Sequence, residues 1–597
     1  MSKINNVRLL LGLAVSAALI VPLAQAAAPQ APSSGGNFPP VVRLSNAEDH
    51  DRTAKLLGIT DMRRGADGQV AQANSGFFAP YDESKATSYP SLPDPLTTED
   101  GRKVTTPDMW WTVRRPEIME LFDREIYGRM PKVTPKVKWE VTSTTAGTSG
   151  SVPTVVKQIV GHVDNSDYPL IEVNIQLSLT LPANANGPVP VIMVFGGGGF
   201  GGGGPARGGA PRGGPGGPGG GAPGAAPGRG PGAFLTNTLD DTFFVAAPAG
   251  PGGAAGAGGR GFGGAGAGGP GGAPGARGGR GAGGFGGGGG GGGPGAPEQI
   301  LSRGWGYATL NPGSIQADNG AGLTQGIIGL VNHGQPRKPD DWGALRAWAW
   351  GVSRVIDYFE TDPSVNAKQV GLEGHSRYGK GTIVSMAYEP RLAISYPSSS
   401  GEGGAHINRR TWGEKVENVG GASEYHWMAG NFIKYTGTVN GKVMGPNDMP
   451  VDGHELVALC APRPVFISGG IQQSDAWQDP KGMFLAGALA SPVYELLGHK
   501  GMGVNVNGKF TPVMEFPTPM TEVMDGDVAF REHEGGHTDV PNWPYFLEFA
   551  GHYFHSATSP ALLPATPPPG LHQVPSKYGV DWEYTRPASP TPPASNQ

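Results

Sequence analysis

Gly374-His375-Ser376-Arg377-Tyr378-Gly379 stands between a short apolar run, Val370 to Glu373, and a segment from Tyr378 to Tyr388 that reads as a helix. A serine at a tight strand-to-helix turn flanked by glycines is a nucleophile elbow, in which the hydroxyl is lifted above the sheet and a helix N-terminus lies beneath it. The second glycine comes one residue later than in the plain G-x-S-x-G form. A serine that merely caps its helix is the alternative reading.

Working outward, the chain alternates strand and helix patterns. Ile171 to Thr180 alternates apolar and polar residues, the period of a half-buried strand, while Val189 to Phe195 is continuously apolar, as in a central strand covered on both faces. Pro116 to Gly128 reads as a helix with proline in its first turn and glycine at its end. Asp341 to Phe359 puts Leu345, Trp348, Val352, Ile356 and Phe359 on one helical face, with Pro363 as a stop. Strands at Leu392 to Tyr396 and Pro464 to Ser468 follow, then a last helix from Trp543 to Phe554. Such alternation predicts an α/β fold of the α/β-hydrolase type, a mostly parallel sheet with helices on both faces.

Around this core the composition changes sharply. Lys3 and Arg8, the apolar run Leu9 to Leu23 and then Ala24-Gln25-Ala26 have the order of a cleaved secretory signal peptide, so residues 1–26 are expected to be removed and the protein to be secreted or periplasmic. Residues 27–40 form an Ala/Pro/Gly/Ser lead-in, residues 41–558 the catalytic domain, and residues 559–597 a proline-rich, loose tail. A glycine-rich stretch, 196–296, interrupts the domain. It cannot bury enough surface to offset chain entropy and is expected to be a disordered surface spacer. One cysteine, Cys460, excludes an internal disulfide and sits in an apolar stretch where burial is expected. A net charge of -5 with 16% charged residues leaves no electrostatic footprint for nucleic acid, despite arginines among the glycines. No later segment is apolar enough to span a membrane, and a soluble monomer is expected.

A serine hydroxyl needs a base to take its proton. Of 13 histidines, His537 closes Glu534-Gly535-Gly536-His537 just before the last helix, where this fold places its base, with His533 as the runner-up. The orienting carboxylate should fall between nucleophile and base in chain order. The loop after Ser468 offers Asp475 and Asp479. Asp475 is preferred because Asp479 precedes Pro480 and looks like a helix cap, and Glu402 is kept as an alternative acid.

Taken together, GHSRYGKG (Gly374 to Gly381), APRPVFIS (Ala461 to Ser468), WQDPKGMF (Trp477 to Phe484) and the EGGH ending at His537 resemble the glucuronoyl esterases of carbohydrate esterase family 15, from about Leu92 to His555. The resemblance implies cleavage of the ester between 4-O-methyl-glucuronic acid on xylan and an alcohol of lignin, with neither metal nor organic cofactor. It implies Ser376 as nucleophile, His537 as base and Arg377 as an oxyanion stabiliser. It further implies Lys380, Glu424 and Trp477 against the sugar, and Glu417 where many members carry glutamine. Many members place the triad acid soon after the strand that follows the elbow helix; there this chain has Ser398-Ser399-Ser400, and it resembles the second type, with the acid in the later loop. An acetyl or feruloyl xylan esterase and a noncatalytic carbohydrate-binding protein are the competing functions.

Overall fold

The continuously apolar run Val189–Phe195 becomes the fully buried middle of a nine-stranded sheet. The computed structural model describes residues 38–68, 74–79, 81–86, 91–196, 294–554, 571–576 and 579–584. The leader, the glycine-rich stretch from 197 to 293 and most of the tail lie outside the described residues.

The sheet strands are β1 (Val137–Ser149), β2 (Val152–Val163), β3 (Asn174–Pro182), β4 (Val189–Phe195), β5 (Gly306–Leu310), β6 (Val365–His375), β7 (Ile394–Ser398), β8 (Val465–Gly470) and β9 (Val528–His533). Their spatial order is β9-β8-β7-β6-β4-β5-β3-β2-β1. The six strands from β9 to β5 run parallel to one another, and β3, β2 and β1 complete the sheet antiparallel.

The helices are α1 (Asn46–Leu56), α2 (Arg115–Glu125), α3 (Ala296–Ser302), α4 (Ala344–Phe359), α5 (Arg377–Tyr388), α6 (Gly453–Cys460), α7 (Pro480–Leu496) and α8 (Trp543–Gly551). On one face α4, α5, α6 and α7 pack side by side. On the other, Trp543, Phe546, Phe549 and Ala550 of α8 meet Ile300 of α3 and the inward residues Ile192, Ile394, Tyr396 and Phe466 of three strands. This is the α/β-hydrolase architecture that the alternating pattern predicts. No described helix is long and apolar enough to cross a membrane.

The chain departs from the sequence reading in places. β1 and β2 form a long hairpin where no strand was assigned, because the stretch Thr142 to Ser149 is threonine, serine and glycine with no apolar alternation. The tail expected to be loose carries a two-stranded antiparallel ribbon, Leu571–Ser576 with Gly579–Tyr584. Cys460 is buried in α6, and burial pushes its thiol up to about 12, well out of the reactive range.

Candidate active site

The elbow forms at the end of β6. Ser376 has φ 59 and ψ -127, a conformation that a non-glycine residue adopts only when its surroundings force it. The forcing contacts are visible: Ser376 N donates to Ser398 O of β7 at 2.9 Å, and α5 starts at the next residue. The late glycine of the motif has a physical reason. A Cβ at Gly379 would come within 2.5 Å of Ser398 O, and one at Gly374 within 2.4 Å of Tyr378 O. The second glycine therefore lies where α5 crosses the end of β7. Ser376 makes no side-chain cap for α5, which leaves the capping alternative without support.

His537 approaches from the loop after β9. A Cβ at Gly470, the last residue of β8, would meet Gly536 O at 2.5 Å, so only glycine there admits the loop this close. The His537 ring packs 4.3 Å from the ring of His375, the residue immediately before Ser376, which brings it beside the elbow. Its Nδ1 faces Asp475 Oδ1 at 2.9 Å, which leaves Nε2 for the serine side. The runner-up His533 is occupied elsewhere: it accepts from Asn542 Nδ2 at 2.9 Å and donates from Nε2 to Gly536 O at 3.1 Å, bracing the loop that carries His537.

Asp475 is buried, and burial alone would raise its pKa. The facing His537, then the hydroxyl of Ser399, hold it below the usual carboxylate range instead. Its second oxygen, Oδ2, accepts from Ser399 Oγ at 2.7 Å and Gly470 N at 3.1 Å. The serine run after β7, which cannot supply an acid, thus supplies a donor to the acid from the next loop. His375 is kept neutral, its pKa lowered to about 3 by burial and by the neighbouring His537.

The other candidate acids are placed differently from the sequence reading. Glu402 is buried against His406, with Oε2 3.3 Å from Nδ1, and does not face His537. Asp479 stands before α7 but makes no cap hydrogen bond; its carboxylate takes His406 Nε2 at 3.0 Å and Arg410 Nε at 2.7 Å.

Beside the elbow lies a cluster of charged side chains. Arg377 donates to Asp318 Oδ2 at 3.2 Å, and Asp318 also takes His426 Nε2 at 2.9 Å and Trp427 Nε1 at 2.6 Å. Against the opposing effect of burial, these partners hold Asp318 down at about 2. Lys380 is not a solvated helix lysine: it is buried, donating to Ser400 O at 2.8 Å and Glu414 Oε2 at 2.7 Å. Burial, then the nearby charge of Glu414, pushes Glu424 up to about 8, and its Oε2 is buried without a partner among the described residues. Trp477 adjoins this cluster, with its carbonyl accepting from Glu414 N at 2.8 Å. Gly68 of the N-terminal segment lies against its ring.

Glu417 is drawn away to Arg63, at 2.9 Å. The acid paired with Lys380 is Glu414, three residues earlier, which the sequence reading passed over. Asp318 was also missed. Neither carries a local pattern, since each finds its partner on α5, far away in the chain. Gly196 donates to Leu310 O at 3.0 Å, and the loop that follows it lies outside the described residues.

Similarity to known proteins agrees with this geometry. The family described as "Glucuronyl esterase, fungi" matches residues 336–498, from before α4 to the end of α7. The carbohydrate esterase MZ0003, from an unknown prokaryotic organism, is 28% identical over 502 residues, 83% of this chain and 97% of that protein. The 4-O-methyl-glucuronoyl methylesterase of Hypocrea jecorina is 36% identical over 160 residues, 26% of this chain and 34% of that protein. Among solved structures, a CE15 glucuronoyl esterase from Teredinibacter turnerae T7901 superposes with TM-score 0.63 and 34% identity, covering 85% of this chain and 99% of its own. A glucuronoyl esterase from Solibacter usitatus follows at TM-score 0.56 and 30% identity, over 79% of this chain and 99% of its own. A noncatalytic carbohydrate-binding protein is therefore set aside. The chain belongs to the glucuronoyl esterases of carbohydrate esterase family 15 and is a carboxylic ester hydrolase.

Proposed function

We propose that this protein cleaves esters of (4-O-methyl-)glucuronic acid on glucuronoxylan, releasing an alcohol such as those of lignin, by acyl transfer through Ser376, His537 and Asp475. The observation that carries this reading is the 2.9 Å contact between Asp475 and a His537 ring packed beside the elbow. The uronic ring would lie among Lys380, Glu424 and Trp477. Ser376 Oγ attacks the ester carbonyl carbon while His537 Nε2 takes its proton; the oxygen that becomes negative faces Arg377 and the N-terminus of α5. Collapse expels the alcohol, which receives the proton from His537. Water, deprotonated in turn by His537, then attacks the acyl-enzyme and frees the uronic acid and Ser376. Asp475 holds the imidazole in the tautomer with hydrogen on Nδ1 throughout and steadies its cation. Burial, then the nearby charge of Glu414, raises the pKa of Glu424 and so favours the protonated form, which can donate to a sugar oxygen.

Export through the leader that ends at Ala26 is part of this reading, and a mature N-terminus at Ala27 in protein recovered from the periplasm or medium would support it. The chemistry is tested with the methyl and benzyl esters of glucuronate. Turnover by the wild type and none by Ser376→Ala is expected. No turnover by the wild type, or full turnover by Ser376→Ala, sinks the mechanism. A preference for acetyl or feruloyl esters that survives Lys380→Ala would move the substrate assignment to those esters.

A further inference from the structure

Glu402 and Asp479 both end in a buried chain of charges that the reaction above does not use. Asp479 Oδ2 takes His406 Nε2 at 3.0 Å and Arg410 Nε at 2.7 Å, and its Oδ1 takes Gln472 Nε2 at 3.1 Å and Arg410 Nη2 at 3.3 Å. On the far side His406 Nδ1 faces Glu402 Oε2 at 3.3 Å. Arg410 turns its other edge to Glu83, at 3.0 and 2.7 Å, and Glu83 also takes Lys481 Nζ at 2.6 Å. Glu402, His406, Arg410 and Asp479 are all buried, so removing His406 leaves Glu402 buried without its partner and Asp479 with Arg410 and Gln472 alone.

The chain lies close to the triad acid along the backbone. Asp479 has φ 48 and ψ 73, a left-handed conformation that its side-chain partners must hold. The single turn Ala476–Gln478 joins it to Asp475: Gln478 N donates to Asp475 O at 3.0 Å and Asp479 N to Ala476 O at 3.2 Å, with Trp477 between. The loops after β7 and β8 are therefore fastened twice, once by Ser399 on Asp475 and once by His406 on Asp479.

We propose that His406 and Asp479 are positioning residues: their buried ion pair, extended by Arg410, locks the left-handed turn at residue 479 and so fixes the aim of Asp475 at His537 and the seat of Trp477 beside Glu414. This rests on Asp475 acting as the triad acid. A misplacement of about 1 Å in a catalytic group costs on the order of a hundredfold in rate, so loosening the turn should show in kcat. The charged groups facing His406 are Glu402 and Asp479, with Asp452 and Glu414 felt by Glu402 and Arg410 felt by Asp479. Burial opposes the cation, but the two carboxylates outweigh it and raise His406 to about 9. The pair is intact below the ordinary histidine range and is lost as pH rises through about 9.

The test compares His406→Gln, Asp479→Asn and Arg410→Lys with wild type and Ser376→Ala on methyl glucuronate. His406→Gln keeps a donor toward Asp479 without the charge, and Asn tolerates the left-handed backbone. Each folded variant is expected to lose roughly tenfold to a hundredfold in kcat at pH 7. Fluorophosphonate labelling of Ser376 should slow by the same factor, and the wild-type fall in kcat above pH 9 should be absent in His406→Gln. A folded variant with lowered Tm but wild-type kcat and labelling overturns the proposal, because its role is then stability alone. If none of the three folds, the network holds the fold and not the turn, and the proposal is equally overturned. Activity in Ser376→Ala would instead refute the triad, separating that failure from this one.

Discussion

Ser399 donates to Asp475, the acid proposed to orient His537. Its 2.7 Å hydrogen bond and the one from Gly470 N satisfy Asp475 Oδ2, leaving Oδ1 for His537. A hydrogen bond to a charged group contributes about 1.5 to 3 kcal/mol, and Gly470 N remains when Ser399 is truncated. Ser399→Ala is therefore expected to lower kcat by about tenfold, at the lower end of that range, with KM little changed. Asp475 is held ionised partly by this donor, so its loss raises the carboxyl pKa and moves the acid limb of kcat to higher pH. A kcat–pH profile identical to wild type would show that Ser399 only fills space. Asp475→Asn, which presents the wrong tautomer to His537, is expected to cost about 10⁴-fold. At this scale the sequence was legible where chemistry needs a local device: a serine at a sharp bend, a histidine after paired glycines, an acid in the right chain order. It was not legible for Glu414, Asp318 and His406, each of which has a partner more than thirty residues away in the chain, Lys380 and Arg377 of α5 for the first two and Asp479 for the third. Glu417 illustrates the error well. It shares a few residues of chain with Glu414, but the short helix Val416–Val419 turns it toward Arg63.

The elements around the elbow depend on contacts that leave no room. β4 was readable because a strand buried on both faces is apolar throughout, and α4 because its buried face repeats at helical spacing. β1 and β2 were unreadable because β1 is an exposed edge strand whose threonines and serines carry no burial signal. The elbow was readable although its glycine spacing is unusual, and that spacing can be tested. Adding a methyl at Gly379 sets it 2.5 Å from Ser398 O, a backbone atom that can move only if α5 lifts from β7 or β7 shifts. Overpacking of this kind costs about 1 to 3 kcal/mol. Gly379→Ala should lower Tm, and because Ser376 immediately precedes α5, it should also slow labelling of Ser376 at temperatures where the protein stays folded. Thermal unfolding and labelling rate measured on the same preparation check this; a lowered Tm with wild-type labelling would mean that the elbow tolerates movement of its helix.

For the whole molecule, the residues that build the site come from the described core, while residues 197–293 join β4 to α3. The two ends of that connection are tied to the sheet independently of what lies between. Phe195 pairs with Leu310, Gly196 donates to the same Leu310, and Ile300 of α3 is buried against Trp305 and α8. The composition of the connection, mostly glycine with proline and alanine, predicts a chain that pays closure entropy without burying surface in return. Closure entropy grows by about 0.6 kcal/mol for each doubling of loop length. Replacing residues 197–293 with about ten Gly/Ser residues removes roughly three doublings and should stabilise the fold by about 2 kcal/mol. Because Ser376, His537, Asp475 and Lys380 take their places from β6, β8, β9 and α5, the shortened protein should keep the wild-type kcat on methyl glucuronate. The segment directly after Gly196 is retained in a second version that deletes only from residue 206 onward, so that a donor close to the strand is preserved. If both versions unfold at lower denaturant than wild type, the connection contributes packing that its composition does not reveal. If only the shorter one loses kcat while both are stable, a catalytic donor lies in the first residues after β4.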